Sequence, residues 1–198
     1  MSQICANERL QAVKLVVETC GQIQRSESQA RPVLVYLQGM ETDIYFDPED
    51  FRVMGSGRPV HAYTHLAALK ERHPEARIVV GCDSQNYSQR TVYVTTIVLR
   101  FPHSGAHVIY RKESVPRIQD MWTKLWGETQ RSVSLAHALE QACGIHVDQI
   151  DLDYNRDPAY ASHKLLGPSE GYVKSLGFQA AAKPELLMAV WAANALCH

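Results

Sequence analysis

Three β-rich runs follow one another between residues 77 and 113, and they constrain the fold of this chain more than any other feature. They are Arg77–Cys82, Thr91–Phe101 and His107–Glu113, and β-branched or aromatic residues dominate them. Two short linkers of turn-forming residues, 84–89 and 102–105, separate the runs. This succession is typical of an antiparallel meander, so we expect a sheet at the centre of the domain.

Helical and extended patterns alternate after the meander. The later elements are a helix over 121–143, a strand over 145–153, a helix over 169–176, a strand over 178–183 and a helix over 184–196. The predicted order is β-β-β-α-β-α-β-α, which describes a mixed five-stranded sheet flanked by helices, in the α/β class.

The N-terminal part has weaker patterns, so we assign residues 1–59 to an extension and residues 60–198 to the domain. The extension is predicted to hold a helix, a linker and short strands. Its predicted features are a helix over 3–24, a polar linker over 25–31, a hairpin of 33–37 with 44–46, and a break at 55–59. The domain then opens with a predicted helix over 60–72.

The composition excludes several classes of protein. With 20 Lys and Arg against 21 Asp and Glu, the net charge is −1, which argues against bulk electrostatic capture of nucleic acid. Five widely spaced cysteines without a Cys-x-x-Cys pair fit neither a disulfide scaffold nor a common structural zinc site. No signal-peptide pattern or long apolar run is present. We therefore expect a cytoplasmic protein with reduced thiols and no membrane span.

Asp83 ends the first β-rich run, which reads Ile-Val-Val-Gly-Cys-Asp over residues 78–83. Period-two alternation places Val79, Gly81 and Asp83 on one strand face, and the glycine leaves space for a close approach to the backbone. The following Ser-Gln-Asn also suits an aspartate that initiates a turn. Both interpretations of Asp83 are open at this stage.

Glu128 interrupts an otherwise apolar or small seam of the long helix. The seam recurs at alternating steps of four and three residues, through Met121, Leu125, Glu128, Ser132, Leu135, Leu139 and Ala142. A carboxylate on such a face has to be paired, protonated or bound to a cation, because an isolated buried charge is strongly disfavoured. Alternatively, Glu128 lies at an exposed end of the seam and pairs with Lys124 or Arg131.

Asp151 and Asp153 lie two residues apart in the predicted strand 145–153, so they point to the same side of it. Asp153 stands at the C-terminal end, where α/β sheets usually gather functional groups. The alternative is an acidic strand end solvated at the sheet edge. Together with Asp83 and Glu128, these acids form the oxygen-donor set that Mg²⁺ and Mn²⁺ prefer.

Several short motifs occur in a characteristic order. They are Gly81-Cys82-Asp83-Ser84-Gln85, Glu128 in the helix after three strands, Asp153-Tyr154-Asn155, Gly171-Tyr172-Val173, Gly177-Phe178 and Lys183-Pro184. In this order they resemble the ribonuclease H superfamily and, more narrowly, the ribonuclease H-like YkuK family of predicted nucleases. The resemblance covers roughly residues 60–198, implies the fold already predicted, and leaves residues 1–59 unexplained.

The resemblance implies Asp83, Glu128 and Asp153 as catalytic residues and ligands of Mg²⁺ or Mn²⁺, with Asp151 as a neighbouring ligand. Nucleases of the superfamily commonly place a fourth acid on the last helix, where the YkuK pattern has Ala-Asp. This chain has Ala193-Asn194 instead, so Asn194 is the candidate fourth ligand. Its amide oxygen carries no charge, and a second cation would be held more weakly.

Other candidate sites are less specific. Positive charge exceeds negative charge over residues 104–135, where the candidate nucleic-acid contacts are Arg111, Lys112, Arg117, Lys124 and Arg131. A solvated charged face is the alternative there. His61 and His65 stand four residues apart but lack the glutamate and the third ligand of a zinc site. We expect Cys82 to belong to the core.

The sequence thus predicts a divalent-metal-dependent nuclease that hydrolyses phosphodiester bonds of RNA or DNA, with nucleic acid as its partner. The alternative is a non-catalytic nucleic-acid-binding or protein-interaction module with a degenerate ribonuclease H-like site, which Asn194 favours. The fold class alone does not decide between them, because function depends on the site and not on the fold.

Overall fold

A computed structural model describes residues 44–103 and 105–197 of the chain. The strands are β1 (Phe51–Val53), β2 (Pro59–Val60), β3 (Arg77–Asn86), β4 (Arg90–Arg100), β5 (Ala106–Pro116), β6 (Gln149–Asn155) and β7 (Ala180–Lys183). The helices are α1 (Ala62–Arg72), α2 (Met121–Cys143), α3 (His163–Ser175) and α4 (Met188–Cys197), and a 3-10 helix covers Pro48–Asp50. None of these helices is long and apolar enough to cross a membrane.

The strands form one mixed sheet in the order β2-β1-β5-β4-β3-β6-β7. β3, β4 and β5 are the predicted antiparallel meander, and β6 lies parallel to both β3 and β7. The predicted α/β class and the predicted order of elements from β3 onward are confirmed. The sheet has seven strands instead of five, because β1 and β2 extend it beyond β5.

The two additional strands come from the start of the described region. Phe51 of β1 pairs with Val60 of β2 and is fully buried in the main core. The turn between these strands uses Gly55 and Gly57, whose φ angles of 87° and 65° favour glycine. Burial of Phe51 therefore attaches this hairpin to the free edge of β5, a long-range contact that local patterns do not show.

Some predicted boundaries differ from the structure. Residues 44–46 form no strand, and the earlier features of the extension, including the strand predicted over 33–37, lie outside the described residues. The helix predicted from Ser169 begins at His163 and contains Pro168. The last helix begins at Met188, not Pro184, because the chain first turns back with a hydrogen bond from Glu185 N to Ala182 O.

The sheet separates two layers of helices. Ile78 and Val80 of β3 face the main core, which also contains residues of α1, α2 and α3. Val79 packs on the opposite face with Ala189 of α4, and Gly81 lies against the same helix. Successive residues of β3 therefore face different helical layers, so the end of this strand is close to both α2 and α4.

Gly81 allows α4 to approach the sheet closely. A Cβ atom at this position would lie 2.9 Å from the Cβ of Ala189 and 3.0 Å from the backbone nitrogen of Val190. We expect Gly81→Ala to lower the free energy of unfolding by about 1–3 kcal/mol, because a packed backbone has to shift. Chemical denaturation measures this effect. Gly167→Ala in α3 is the control, since no atom lies within 4 Å of its added Cβ; equal effects of both variants would contradict the prediction.

Candidate metal centre

Asp83 and Asp153 come from adjacent parallel strands. Gly81 of β3 pairs with Asp151 of β6 as the last pair of that ladder, and Asp83 and Asp153 each lie two residues further along their strands. The two carboxylates influence each other, since the charge of Asp153 raises the pKa of Asp83. Residues separated by 70 positions in the sequence thus meet at one end of the sheet.

Asp83 is buried within β3, with 7% of its surface exposed, and it does not initiate a turn. Its Oδ1 accepts a hydrogen bond from Ser84 N at 2.7 Å, and its Oδ2 accepts one from Asn194 Nδ2 at 2.9 Å. Burial raises the pKa of Asp83, although the hydrogen bond from Asn194 opposes this shift. The side chain is therefore held in place between β3 and α4.

Glu128 is buried in α2, with 4% of its surface exposed. Its Oε1 accepts a hydrogen bond from the Ser84 hydroxyl at 2.5 Å, while its Oε2 is buried without a hydrogen-bond partner. Lys124 donates to the Ser84 carbonyl and Arg131 binds Glu113, so neither is the predicted alternative partner of Glu128. Burial raises the pKa of Glu128 well above its usual value, and the charges of Asp83 and Asp153 raise it further.

Asp153 forms an ion pair with Lys183, which ends β7. The Asp153 side chain is 21% exposed and that of Lys183 is 49% exposed, so the pair is open to solvent on one side. In the part of the chain that the structure describes, no three His, Cys, Asp or Glu side chains are arranged to hold a metal ion. A cation that binds all three carboxylates has to displace Lys183 from Asp153 or share Asp153 with it.

Asn194 of α4 lies beside Asp83, and its role as a fourth ligand stays a prediction. Its Nδ2 donates to Asp83, which brings the last helix to the same cluster as β3. Asn194, Asp153 and Lys183 also line one pocket. The cluster is thus built by β3, α2, β6, β7 and α4, and its oxygen donors suit a hard divalent cation.

Comparison with known proteins gives one match. A family model described as Ribonuclease H-like matches residues 62–198, which is more than half of the chain. The chain belongs to the ribonuclease H-like family. No curated protein and no solved structure gives a significant match. Ribonuclease H-like domains are of the nucleic-acid nuclease type and generally use divalent metals, whereas the narrower YkuK resemblance stays a prediction.

Asp151 of this ribonuclease H-like domain is hydrogen bonded through both oxygens. Oδ1 accepts from Gln149 Nε2 at 2.7 Å, and Oδ2 accepts from Ala189 N at 2.8 Å. Asp151 therefore caps the start of α4, where the helix dipole favours a negative charge. Its role as a metal ligand stays a prediction, and the observed bonds give it a structural role.

Burial raises the pKa of Asp151 to about 6. The folded protein therefore holds this proton more tightly than the unfolded chain, and stability present below about pH 4 is lost as the pH rises through about 6. Relative to Asp151→Asn, the wild type is expected to lose on the order of 3 kcal/mol of unfolding free energy over this range. Chemical denaturation in EDTA at several pH values measures the difference; parallel curves for the two proteins would contradict it.

The five predicted nucleic-acid contacts do not form one surface. Arg111 and Arg131 both bind Glu113 on the α2 side of the sheet, and Arg131 also stacks on Tyr93. Lys112 instead faces α4 and donates to the carbonyl of Leu196.

The other two cations in this set lie nearer the turns. Arg117 donates to the carbonyls of Tyr87 and Ser88. Lys124 is next to the cluster, where its charge lowers the pKa of Asp83 and of Glu128 against the effect of burial. Lys124 is therefore the member of the set that the structure brings to the carboxylates.

The remaining candidates lie away from the carboxylates. His65 Nε2 is 2.8 Å from Nε2 of His107, a partner that the sequence did not suggest. His61 caps α1 instead, with its Nδ1 accepting a hydrogen bond from Thr64 N at 3.4 Å. Cys82 is buried, as expected for a core residue.

Two residues of the cluster were not predicted as site residues. Ser84 binds Glu128, and Lys183 binds Asp153. Both occur in the motifs that carry the family resemblance, directly after Asp83 and directly before Pro184. Their place in those motifs was the available signal, but neither residue type suggests a metal site.

Proposed function

We propose that this chain is a divalent-metal-dependent nuclease that hydrolyses phosphodiester bonds of RNA or DNA, with Asp83, Glu128 and Asp153 as metal ligands. The proposal rests on Glu128 Oε2, which is buried without a hydrogen-bond partner beside two further carboxylates. An unsatisfied buried carboxylate oxygen is costly, and a bound cation offsets both its desolvation and the repulsion among the acids.

The surrounding residues hold the carboxylates in fixed orientations for metal binding. Ser84 fixes one oxygen of Glu128, and Asn194 fixes one oxygen of Asp83. Lys183 carries a positive charge beside Asp153, where it can also contact a phosphate. When bound, Mg²⁺ or Mn²⁺ neutralises the phosphate and acidifies a water molecule. The chain itself supplies the oxygen ligands and their fixed orientation.

Cleavage assays test this proposal directly. Labelled single-stranded and duplex RNA and DNA are incubated with Mg²⁺, with Mn²⁺ or with EDTA, and the melting temperature is recorded under the same conditions. We expect cleavage only with a divalent cation, together with a higher melting temperature, because a ligand that binds the folded state stabilises it. A protein that cleaves none of these substrates and shows no cation-dependent melting shift would refute the proposal.

A second candidate function is a non-catalytic nucleic-acid-binding or protein-interaction module. Two observations favour it, since Lys183 already binds Asp153 and the uncharged Asn194 already binds Asp83. On this view the ammonium group of Lys183 and the amide of Asn194 take the places that cations occupy in a metal-dependent nuclease. The carboxylate cluster would then stabilise the fold and bind no metal.

Lys183→Met separates the two candidates. In a metal-dependent nuclease the variant is expected to bind Mn²⁺ a few-fold more tightly, because a competing, partly exposed ion pair of about 0–1 kcal/mol is removed. Isothermal titration calorimetry measures the affinity. Lys174→Met is the matched control, since Lys174 pairs with Glu170 elsewhere on the surface. A Lys183→Met protein that melts lower and still binds no Mn²⁺ would support the non-catalytic module.

A further inference from the structure

A pocket of about 400 Å³ lies directly beside the carboxylate cluster. Its lining residues come from β6, β7, the following turn and α4, and they are Asp153, Lys183, Glu185, Leu186, Leu187, Val190, Trp191 and Asn194. Its volume falls in the range of roughly 300–1,000 Å³ that is usual for small-ligand sites. Because Asp153 and Asn194 belong to both, the pocket and the carboxylate cluster form one continuous site.

Two large apolar side chains of this pocket are exposed to solvent. Trp191 is 71% exposed and Leu186 is 72% exposed. Trp191 precedes Asn194 by one turn of α4, so its indole lies along the helix from the hydrogen bond to Asp83. An exposed indole beside a candidate catalytic site offers a flat apolar surface that the fold itself does not use.

The pocket lining combines two kinds of chemistry. Lys183 and Asp153 form an ion pair in it, and a metal-bound phosphodiester would lie beside them under the proposed function. Leu186 and Trp191 supply the apolar surface next to them. A charged group joined to a flat, apolar ring matches this arrangement, and a nucleotide with an unpaired base has that chemistry.

We propose that Trp191 stacks on an unpaired base next to the bound phosphodiester, and that the substrate is a single-stranded nucleic acid. This inference rests on the proposed nuclease function and specifies its substrate. A base inside a duplex is already stacked on both faces, so only an unpaired base can place its face on the indole. Trp191 is then a substrate-binding residue, and it takes no part in holding the cation.

The test compares oligonucleotide binding by two variants of the full chain. Fluorescence anisotropy is measured with Ca²⁺, using a labelled short single strand and a blunt two-stranded duplex of the same composition. We expect Trp191→Ala to weaken single-strand binding by about 10-fold, Trp191→Phe to recover part of this loss, and Mn²⁺ affinity to stay unchanged. Tyr45→Ala is the matched control, since Tyr45 is an aromatic residue that is 54% exposed and does not line the pocket.

Tryptophan emission adds a direct readout of stacking. The chain has three tryptophans, Trp122, Trp126 and Trp191. Quenching by a bound single strand is expected in the wild type and is expected to be lost in Trp191→Phe, because the other two indoles lie outside the pocket lining.

The possible results distinguish a failure of the stacking inference from a failure of the proposed nuclease function. If the wild type cleaves nucleic acid but Trp191→Ala binds single strands as tightly as Tyr45→Ala does, the stacking inference is wrong and the nuclease proposal stands. Equal binding of the blunt duplex and the single strand also overturns the inference. If Trp191→Ala converts a dimer to a monomer without changing oligonucleotide binding, the apolar surface is an interface between copies. If the wild type neither binds nor cleaves nucleic acid, the proposed function and the inference fail together.

Discussion

Asp83→Asn is expected to abolish phosphodiester cleavage and to weaken Mn²⁺ binding by more than about 100-fold. Mutation of a residue that only supports a metal ligand already lowers metal affinity or activity by roughly 10- to 100-fold, and Asp83 is proposed as a ligand itself. Asp83 is central to the cluster, since it contacts Asn194 of α4 and its pKa responds to the charge of Asp153. The substitution keeps the size of the side chain and removes its charge. The expected loss is therefore electrostatic, and cleavage rates together with calorimetric Mn²⁺ titrations measure it.

The fold of Asp83→Asn should survive in EDTA and become slightly more stable at neutral pH. Burial raises the pKa of Asp83. Ionisation of this side chain therefore lowers the free energy of unfolding once the pH exceeds the pKa of aspartate in the unfolded chain. Asp50→Asn is the control, because Asp50 is an exposed acid at the other edge of the sheet. Cleavage and metal binding equal to those of Asp50→Asn would show that Asp83 is not a ligand.

The meeting of Asp83 with Asp153 could be predicted from the ribonuclease H-like resemblance, because the topology that it implies makes β3 and β6 neighbours. The structure pairs β6 in parallel with β3, and side chains two residues apart share a strand face. A buried Glu128 was one of two interpretations of its helix seam, whose other positions are apolar or small. Spacing within one element is visible in the sequence, whereas the pairing of distant strands came from the family resemblance.

The partners of the acids could not be predicted in the same way. The pairing of Lys183 with Asp153 depends on how far β7 extends along β6, where the register shifts between Leu152 and Asn155. The bond from Ser84 to Glu128 depends on the rotation of α2 against β3. A register shift and a helix rotation are set by packing over many residues, and the local sequence carries little information on either.

The five candidate nucleic-acid contacts lie on different parts of the structure, and their role in binding stays a prediction. Arg111 and Lys112 are neighbours in β5, so alternation along the strand sends them to opposite faces of the sheet. Arg131 comes from α2 and is only 9% exposed, because it is bound to Glu113. Strand parity alone excluded a single patch that contains both Arg111 and Lys112, whereas the burial of Arg131 required the structure.

Asn194→Asp is expected to have opposite effects on stability with and without a cation. In EDTA at neutral pH, a second carboxylate would replace the amide that now donates to Asp83 Oδ2 at 2.9 Å. Repulsion between the buried Asp83 carboxylate and a new carboxylate at the exposed position 194 should then lower the melting temperature. With Mn²⁺ present, the same carboxylate becomes a charged ligand, and the melting temperature should rise above that of the wild type.

The expected gain in Mn²⁺ affinity for Asn194→Asp is about 10- to 100-fold, because one additional unit charge close to a divalent cation contributes several kcal/mol before desolvation is subtracted. Cleavage should increase with it if the uncharged Asn194 is what limits the second cation. Asn194→Ala is the control: it removes the hydrogen bond to Asp83 without adding a charge, so the gain of Asn194→Asp over Asn194→Ala measures the added charge. If Asn194→Asp leaves Mn²⁺ binding unchanged while Asp83→Asn removes it, the cluster holds a single cation without help from α4. If both variants match a wild type that binds no metal, Lys183 and Asn194 are permanent replacements for the cations, and the non-catalytic function is the correct one.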